Sequence, residues 1–294
     1  RPGSAKVRYL PQRPKAIILI LATALLCSSG GLLIKSVPLD PLAIAGSRSL
    51  ISALFLLIFL RDFRPGELKY QFGGAIFYAA TVILFVVANK MTTAANVILL
   101  QYSSPIWVAL IGAWFLREKV KLTDWLFIFS LIGGIFLFFM DEITLDGTRG
   151  NILAILGGLA FAGTVLHMRK LKDSSPLLMI VLGNFLAAFV CLPFYAAETR
   201  IWENLPLLLT LGIFQLGLPY ILYSIAIKSI HAVEATLLSS IEAILNPLWV
   251  FILLSEKPGF WSATGGAIVF ITVTAYGVIA GLRKNGDTSG SGVK

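Results

Sequence analysis

The chain has 294 residues, of which 57% are hydrophobic and 13% are charged, and its mean hydropathy is +0.86. Soluble domains usually carry about one quarter charged residues, so this composition excludes a soluble protein and indicates an integral protein of the lipid bilayer. The net charge of +9 does not indicate nucleic acid as a partner, because the basic residues lie in short loops between apolar segments and not on one soluble face.

Apolar runs of about 17 to 25 residues predict membrane-spanning helices. The sequence predicts ten spans, at residues 16–34, 41–60, 71–89, 92–116, 122–140, 150–168, 175–196, 205–227, 231–254 and 259–282. The loops between them are short, and none carries the phosphate-binding pattern GxxxxGK[ST]. We therefore expect an all-α membrane protein without its own ATPase, without a cofactor and without a metal site.

The loop charges predict the orientation of these spans. Of the 24 lysines and arginines, 18 lie in the termini and in the loops after even-numbered spans, and 5 lie in the loops after odd-numbered spans. Cytoplasmic loops carry the excess of positive charge. Both termini are therefore expected in the cytoplasm, in a bacterial inner membrane.

The sequence contains an internal duplication. Residues 88–119 align without a gap to residues 226–257, so that Lys90 matches Lys228 and Glu118 matches Glu256. Each half then holds five spans, residues 1–145 and residues 146–294. Because five is odd, the second half must enter the membrane in the opposite sense, and inverted repeats around a midplane site are a recurring plan of transporters.

Polar residues recur on one stripe of predicted span 9. Ser239, Glu242 and Asn246 follow at helical spacing, and Gln101 and Ser104 take the matching places in span 4. A polar stripe in hydrocarbon must face protein or a water-filled cavity. We expect these five side chains to line a common cavity, with hydrogen bonding between helices as the alternative.

Two charged residues lie deep in the predicted spans. Glu242 is about eleven residues into span 9, or ~16 Å at 1.5 Å per residue, and Arg48 lies at a similar depth in span 2. An intramembrane carboxylate is a functional hypothesis by default. Arg48 can pair with Glu242, or its planar fork can hold a substrate carboxylate.

Other candidates have weaker signals. Asn184 is polar at mid-depth and either contacts solute or bridges helices, while His231 continues the Glu242 stripe to the cytoplasmic end and either titrates during transport or is an ordinary interfacial histidine. Six aromatic residues are candidates for the cavity wall, although aromatic residues are also common at membrane interfaces. They are Phe77, Tyr78, Tyr102, Trp107, Tyr220 and Tyr223.

These features resemble the EamA-type members of the drug/metabolite transporter superfamily. The resemblance rests on the duplicated five-helix unit, on Arg48 in PLAIAGSRSLISALFLL, and on the paired endings SSPIWVALIGAWFLREK and IEAILNPLWVFILLSEK. It implies a ten-helix carrier with a central cavity formed mainly by spans 1–4 and 6–9. The family includes exporters of amino acids, among them aromatic amino acids, and of other metabolites.

The sequence thus favours a secondary transporter that exports small metabolites, such as amino acids, by alternating access. A carrier for another metabolite or for a drug-like or cationic solute is the alternative. Proton coupling through Glu242 and uncoupled facilitated transport both stay open. An intramembrane enzyme is disfavoured because neither HExxH nor GxSxG occurs, and a non-transporting receptor or channel is the third class.

Overall fold

The structure is a computed structural model that describes residues 13–60, 64–140, 147–245 and 259–282. Within those ranges the regular structure is entirely helical. The α-helices in chain order are α1 (Arg13–Cys27), α2 (Gly30–Ser36), α3 (Pro41–Phe59), α4 (Leu68–Met91), α5 (Ala94–Gln101), α6 (Ser104–Phe115), α7 (Leu122–Phe138), α8 (Thr148–Lys170), α9 (Pro176–Val190), α10 (Leu192–Ala197), α11 (Leu205–Thr210), α12 (Leu218–Ala226), α13 (Ala232–Ser239) and α14 (Phe260–Leu282), and a π-helical segment, Leu211–Gly217, joins α11 to α12.

Seven helical stretches of the described residues are long and apolar enough to cross a membrane. They are Arg13–Ser36, Pro41–Phe59, Leu68–Met91, Asn96–Phe115, Thr148–Lys170, Leu205–Ala226 and Phe260–Leu282. Their outer surfaces expose large apolar side chains, such as Trp114 and Leu282, which suit contact with lipid. The chain is therefore an integral membrane protein of the all-α class, as its composition predicts.

The other three predicted spans are only partly matched. Two shorter apolar helices, Leu122–Phe138 and Pro176–Val190, fall where spans 5 and 7 are predicted. Predicted span 9 begins with α13, but its last part, 246–254, lies outside the described residues. Ten spans in an inverted arrangement thus stay a prediction.

Several long stretches are interrupted, and prolines mark where the helix resumes. Pro105 is in the first turn of α6, Pro193 in the first turn of α10, and Pro219 in the first turn of α12. Proline lacks a backbone N–H and is tolerated in the first turn of a helix, where that N–H has no intrahelical partner. Pro105 and Pro193 thus coincide with new helix starts, and Pro219 lies where the π-helical segment changes to the α-helix α12.

The most extensive contact between helices joins α4 to α8. Helix α4 packs against α8 and α9, α3 packs against α9 and the π-helical segment, and α1 packs against α12. Helices α7 and α14 form a pair of their own. The largest cluster of buried apolar side chains runs through the bundle, from Ala16 in α1 to Ala280 in α14.

The pair α7 and α14 depends on a close approach of their backbones. A methyl group added at Gly265 would overlap the backbone of Phe138 and would lie 2.5 Å from the carbonyl oxygen of Gly134. Small residues at such contacts are common between membrane helices, because they let backbones come together.

We predict that Gly265→Ala lowers the melting temperature of the purified protein in detergent, because overpacking against backbone costs about 1–3 kcal/mol. Gly133→Ala is the matched control on α7, since a methyl group there would meet nothing within 4 Å. Equal melting temperatures for the two variants would contradict the close packing of α7 on α14.

Candidate functional site

A cavity of about 90 Å³ lies inside the bundle and receives side chains from both halves of the chain. Its lining residues are Thr23, Cys27, Arg48, Thr81, Val82, Phe85, Ile98, Gln101, Tyr102, Ser104, Phe161, Gln215, Leu216, Tyr220, Tyr223, Ser239 and Glu242. The lining combines one cation, one carboxylate, several neutral hydrogen-bonding groups and aromatic rings. Sites for drug-sized ligands usually enclose roughly 300–1,000 Å³, so the cavity in this conformation suits a smaller molecule.

Eight of the residues that the sequence predicts for the site lie on this wall. They are Arg48, Gln101, Tyr102, Ser104, Tyr220, Tyr223, Ser239 and Glu242. The two polar stripes thus meet at one cavity. Gln101 and Ser104 come together because the chain turns at Tyr102 and Ser103 between α5 and α6, which carries both side chains to the same wall.

Arg48 is 1% exposed, and its hydrogen bonds to described residues go to neutral groups. Its Nη1 donates to Oε1 of Gln215 at 2.8 Å, and its Nη2 donates to the carbonyl oxygen of Val82 at 3.3 Å. Its buried Nε–H has no hydrogen-bond partner in the described part of the chain. The guanidinium group is therefore held in place with one donor unused.

Glu242 contributes the carboxylate of the cavity. It interacts with the side chain of Tyr102, and the ion pairs between described residues do not include one with Arg48. Cys27 lines the cavity together with both Arg48 and Glu242. Both charges thus face one region of the cavity without pairing to each other.

The other predicted residues that the structure describes lie away from the cavity wall. Asn184 is fully buried, and its Nδ2 donates to the Tyr78 hydroxyl at 2.9 Å, so these two residues bridge α9 and α4. Trp107 is partly buried in the apolar core, and Phe77 is 38% exposed beside His167. Asn246 lies outside the described residues.

His231 precedes α13 at one end of the bundle. Its backbone N–H donates to Oε2 of Glu234 at 3.1 Å, and its Nδ1 lies 3.6 Å from the same oxygen. The cavity lining does not include it. The helical stripe that joins His231 to Glu242 in sequence therefore does not bring its side chain to the cavity.

The sequence reasoning missed four polar residues of the wall: Thr23, Cys27, Thr81 and Gln215. Gln215 is the most informative, because it holds Arg48 from the π-helical segment. A lone glutamine inside the apolar run LLLTLGIFQLGLPYIL is a candidate functional residue for the same reason as Asn184, because polar residues within a span are costly and often functional. That signal alone would have found it.

Five charged or titratable side chains join the helix ends at the side that the loop charges predict to be cytoplasmic. We call Arg13, Glu118, Arg169, His231 and Glu234 the inner-end cluster. Arg169 Nε donates to Oε1 of Glu118 at 2.6 Å, and Oε2 of Glu118 accepts from the backbone N–H of Ala232 at 3.2 Å. Arg13 forms a buried ion pair with Glu234. The cluster ties the ends of α1, α6, α8 and α13 together below the cavity.

Apolar helices that enclose a polar, charged cavity are the architecture of an integral membrane transporter. Comparison with known protein families supports this class. The model described as the EamA-like transporter family matches residues 14–140 and, again, residues 148–277. The chain therefore belongs to the EamA-like transporter family, and the resemblance seen in its sequence is confirmed.

The curated relatives are also transporters. An uncharacterized transporter of Archaeoglobus fulgidus is 27% identical over 258 residues, which cover 86% of this chain and 93% of that protein. The threonine/homoserine exporter RhtA of Escherichia coli K12 is 26% identical over 271 residues, covering 87% of this chain and 88% of the exporter. One solved crystal structure superposes with a TM-score of 0.76 at 15% identity, over 93% of this chain and 100% of the other, which shows a shared fold.

We predict that Arg169→Gln lowers the unfolding free energy by about 3 kcal/mol, because removing one partner of a buried ion pair leaves the other charge uncompensated. The Arg169 and Glu118 side chains are 4% and 17% exposed. Thermal unfolding in detergent measures the change.

The control for this variant is Lys69→Gln, which breaks the exposed pair between Lys69 and Glu67. Exposed ion pairs contribute little, so this variant should unfold at the wild-type temperature. A wild-type melting temperature for Arg169→Gln would show that the inner-end cluster does not stabilise the fold.

Proposed function

We propose that the protein is a secondary carrier that exports small polar metabolites, such as amino acids, through the central cavity by alternating access. One observation carries the proposal: a cation and a carboxylate face the same cavity inside an apolar bundle, and polar groups at such a depth usually mark a substrate or ion pathway. Family membership adds that the relatives are transporters, and one of them is named as an exporter of threonine and homoserine.

The ten-span inverted repeat belongs to this proposal, with residues 1–145 and 146–294 as the two halves. The packing of the helices supports it. Helix α4, in predicted span 3, packs against α8, in predicted span 6. Helix α12, in predicted span 8, packs against α1, in predicted span 1. A two-fold relation between the halves exchanges span 3 with span 8 and span 6 with span 1, so it converts the first contact into the second. The two separate matches of the family model fall on the same halves.

The repeat gives alternating access a simple form. The cavity lies between the halves, so rocking one half against the other opens it to either side of the membrane. The inner-end cluster then acts as the cytoplasmic closure in this conformation, because it joins helix ends from both halves. This assignment uses the orientation from the loop charges, with both termini in the cytoplasm of a bacterial inner membrane.

Substrate contacts are assigned to the predicted residues on the wall. Arg48 and Glu242 supply charge, and Gln101, Ser104 and Ser239 supply neutral hydrogen bonds. Tyr102, Tyr220 and Tyr223 form the aromatic part of the wall. Tyr78 and Asn184 are assigned a supporting role behind Tyr220, since the rings of Tyr78 and Tyr220 meet edge to face at 4.8 Å.

The first test is counterflow in proteoliposomes that contain the full chain. The vesicles are loaded with unlabelled amino acids, organic cations or nucleosides, and uptake of the matching labelled solute is followed. We expect saturable exchange with a subset of the amino acids. Exchange of organic cations alone would favour the drug-like alternative, and flux without saturation or exchange would indicate a channel.

A second prediction concerns energy coupling. If protons move through Glu242, Glu242→Gln abolishes the stimulation of uptake by an imposed pH gradient, whereas the loss of a substrate contact alone weakens exchange at equal pH and keeps the stimulation. Glu67→Gln, which removes an exposed carboxylate (64% exposed), is the control. Unchanged stimulation in Glu242→Gln would indicate another proton path, and no stimulation in the wild-type protein would indicate uncoupled facilitated transport.

A further inference from the structure

Arg48 and Glu242 line one cavity, and the ion pairs between described residues include neither of them. Arg48 has neutral partners in Gln215 and Val82, and Glu242 interacts with neutral Tyr102. A charge buried in a low-dielectric interior is costly unless it is paired and hydrogen-bonded. The arrangement is therefore incomplete without a ligand that carries both signs.

The donor left over on Arg48 indicates where the negative group binds. Its Nε–H is buried and unpartnered, while Gln215 and Val82 hold the two terminal nitrogens. Guanidinium groups bind carboxylates through such donors, with planar, directed hydrogen bonds. A carboxylate that enters the cavity satisfies Arg48 without disturbing the contacts that fix it.

The positive group of the ligand has its partner in Glu242. Cys27, Arg48 and Glu242 all line the same cavity, so a small ligand inside it can contact both charged side chains. An ammonium group there can donate to the Glu242 carboxylate, whose interaction with Tyr102 still leaves acceptor capacity, because an ionised carboxylate has about four lone-pair sites.

The volume of the cavity and the neutral hydrogen-bonding residues on its wall limit which side chain the ligand can carry. The enclosed volume is about 90 Å³, and Gln101, Ser104 and Ser239 offer hydrogen bonds there. A short side chain with a hydroxyl group fits these features better than an aromatic side chain does.

We infer that the cavity recognises a small zwitterionic amino acid, with its carboxylate on Arg48 and its ammonium group on Glu242. The inference rests on the proposed function, because it names the substrate class of the same cavity. It also narrows that class from amino acids in general, aromatic ones included, to those with short polar side chains.

The test uses binding, which does not require transport. Labelled glycine, L-alanine and L-serine are bound to the purified full chain in detergent and displaced by L-serine, by serinamide, which lacks the carboxylate, and by N-acetylserine, which lacks the ammonium group. Each altered analogue should compete at least about 10-fold more weakly than L-serine, which corresponds to the loss of one charge-assisted hydrogen bond. L-Phenylalanine should compete weakly as well.

Two variants assign each charge to its residue. In Arg48→Gln, L-serine and serinamide should compete equally, while N-acetylserine stays weaker. In Glu242→Gln, L-serine and N-acetylserine should compete equally, while serinamide stays weaker. Lys69→Gln and Glu67→Gln remove exposed charges outside the cavity and should keep the wild-type order. If Arg48→Gln fails to fold, the wild-type analogue series and Arg48→Lys decide.

The outcomes separate this inference from the proposed function. Equal competition by all analogues, or no binding of any small zwitterion, overturns the inference. Saturable counterflow of another solute would then leave the carrier proposal standing. Conversely, selective zwitterion binding without counterflow of any solute would support the site and overturn the carrier.

Discussion

The constraint on which the site depends is the burial of the Arg48 guanidinium group among neutral partners. In hydrocarbon, a polar group without a partner costs several kcal/mol, and a charged group costs more. Two hydrogen bonds offset this cost for Arg48: one goes to Gln215 in the π-helical segment, and the other goes to the carbonyl oxygen of Val82 in α4. Three elements of the bundle are thereby fixed around one side chain.

Interruptions in the helices give the cavity its polar wall. Helical stretches break between α5 and α6, and they change geometry in the π-helical segment between α11 and α12. Irregular backbone at membrane depth is tolerated only where it is buried in protein or lines a cavity, and π-helical turns are frequent at functional sites. Gln101 and Gln215 both lie at such places. Each of these two departures from regular α-helical geometry therefore coincides with a glutamine on the cavity wall.

The sequence predicted the residues of the wall best where periodicity and polarity coincided. Ser239 and Glu242 on one stripe, and Gln101 and Ser104 on its counterpart, reach the same cavity. Periodicity could not find Gln215, whose place depends on a π-helical turn, and it could not decide between cavity and core for Trp107 or Asn184. The inner-end cluster was also beyond sequence reasoning, because Arg169 and Glu118 are 51 residues apart and meet only through packing. The apolar composition of a segment predicts that it forms a helix. Which residue a long side chain contacts depends on how the helices pack against each other.

Solute binding in the cavity is measured most directly by the protection of Cys27 from modification at its thiol. In a Cys191→Ser background Cys27 is the single thiol, since the chain has two cysteines, and it lies on the cavity wall together with Arg48 and Glu242. Its rate of reaction with a small methanethiosulfonate reagent is followed with and without a small zwitterionic amino acid. A zwitterion bound between Arg48 and Glu242 should slow the reaction in a saturable way. An unchanged rate at every concentration, for every small zwitterion tested, would contradict solute binding between Arg48 and Glu242.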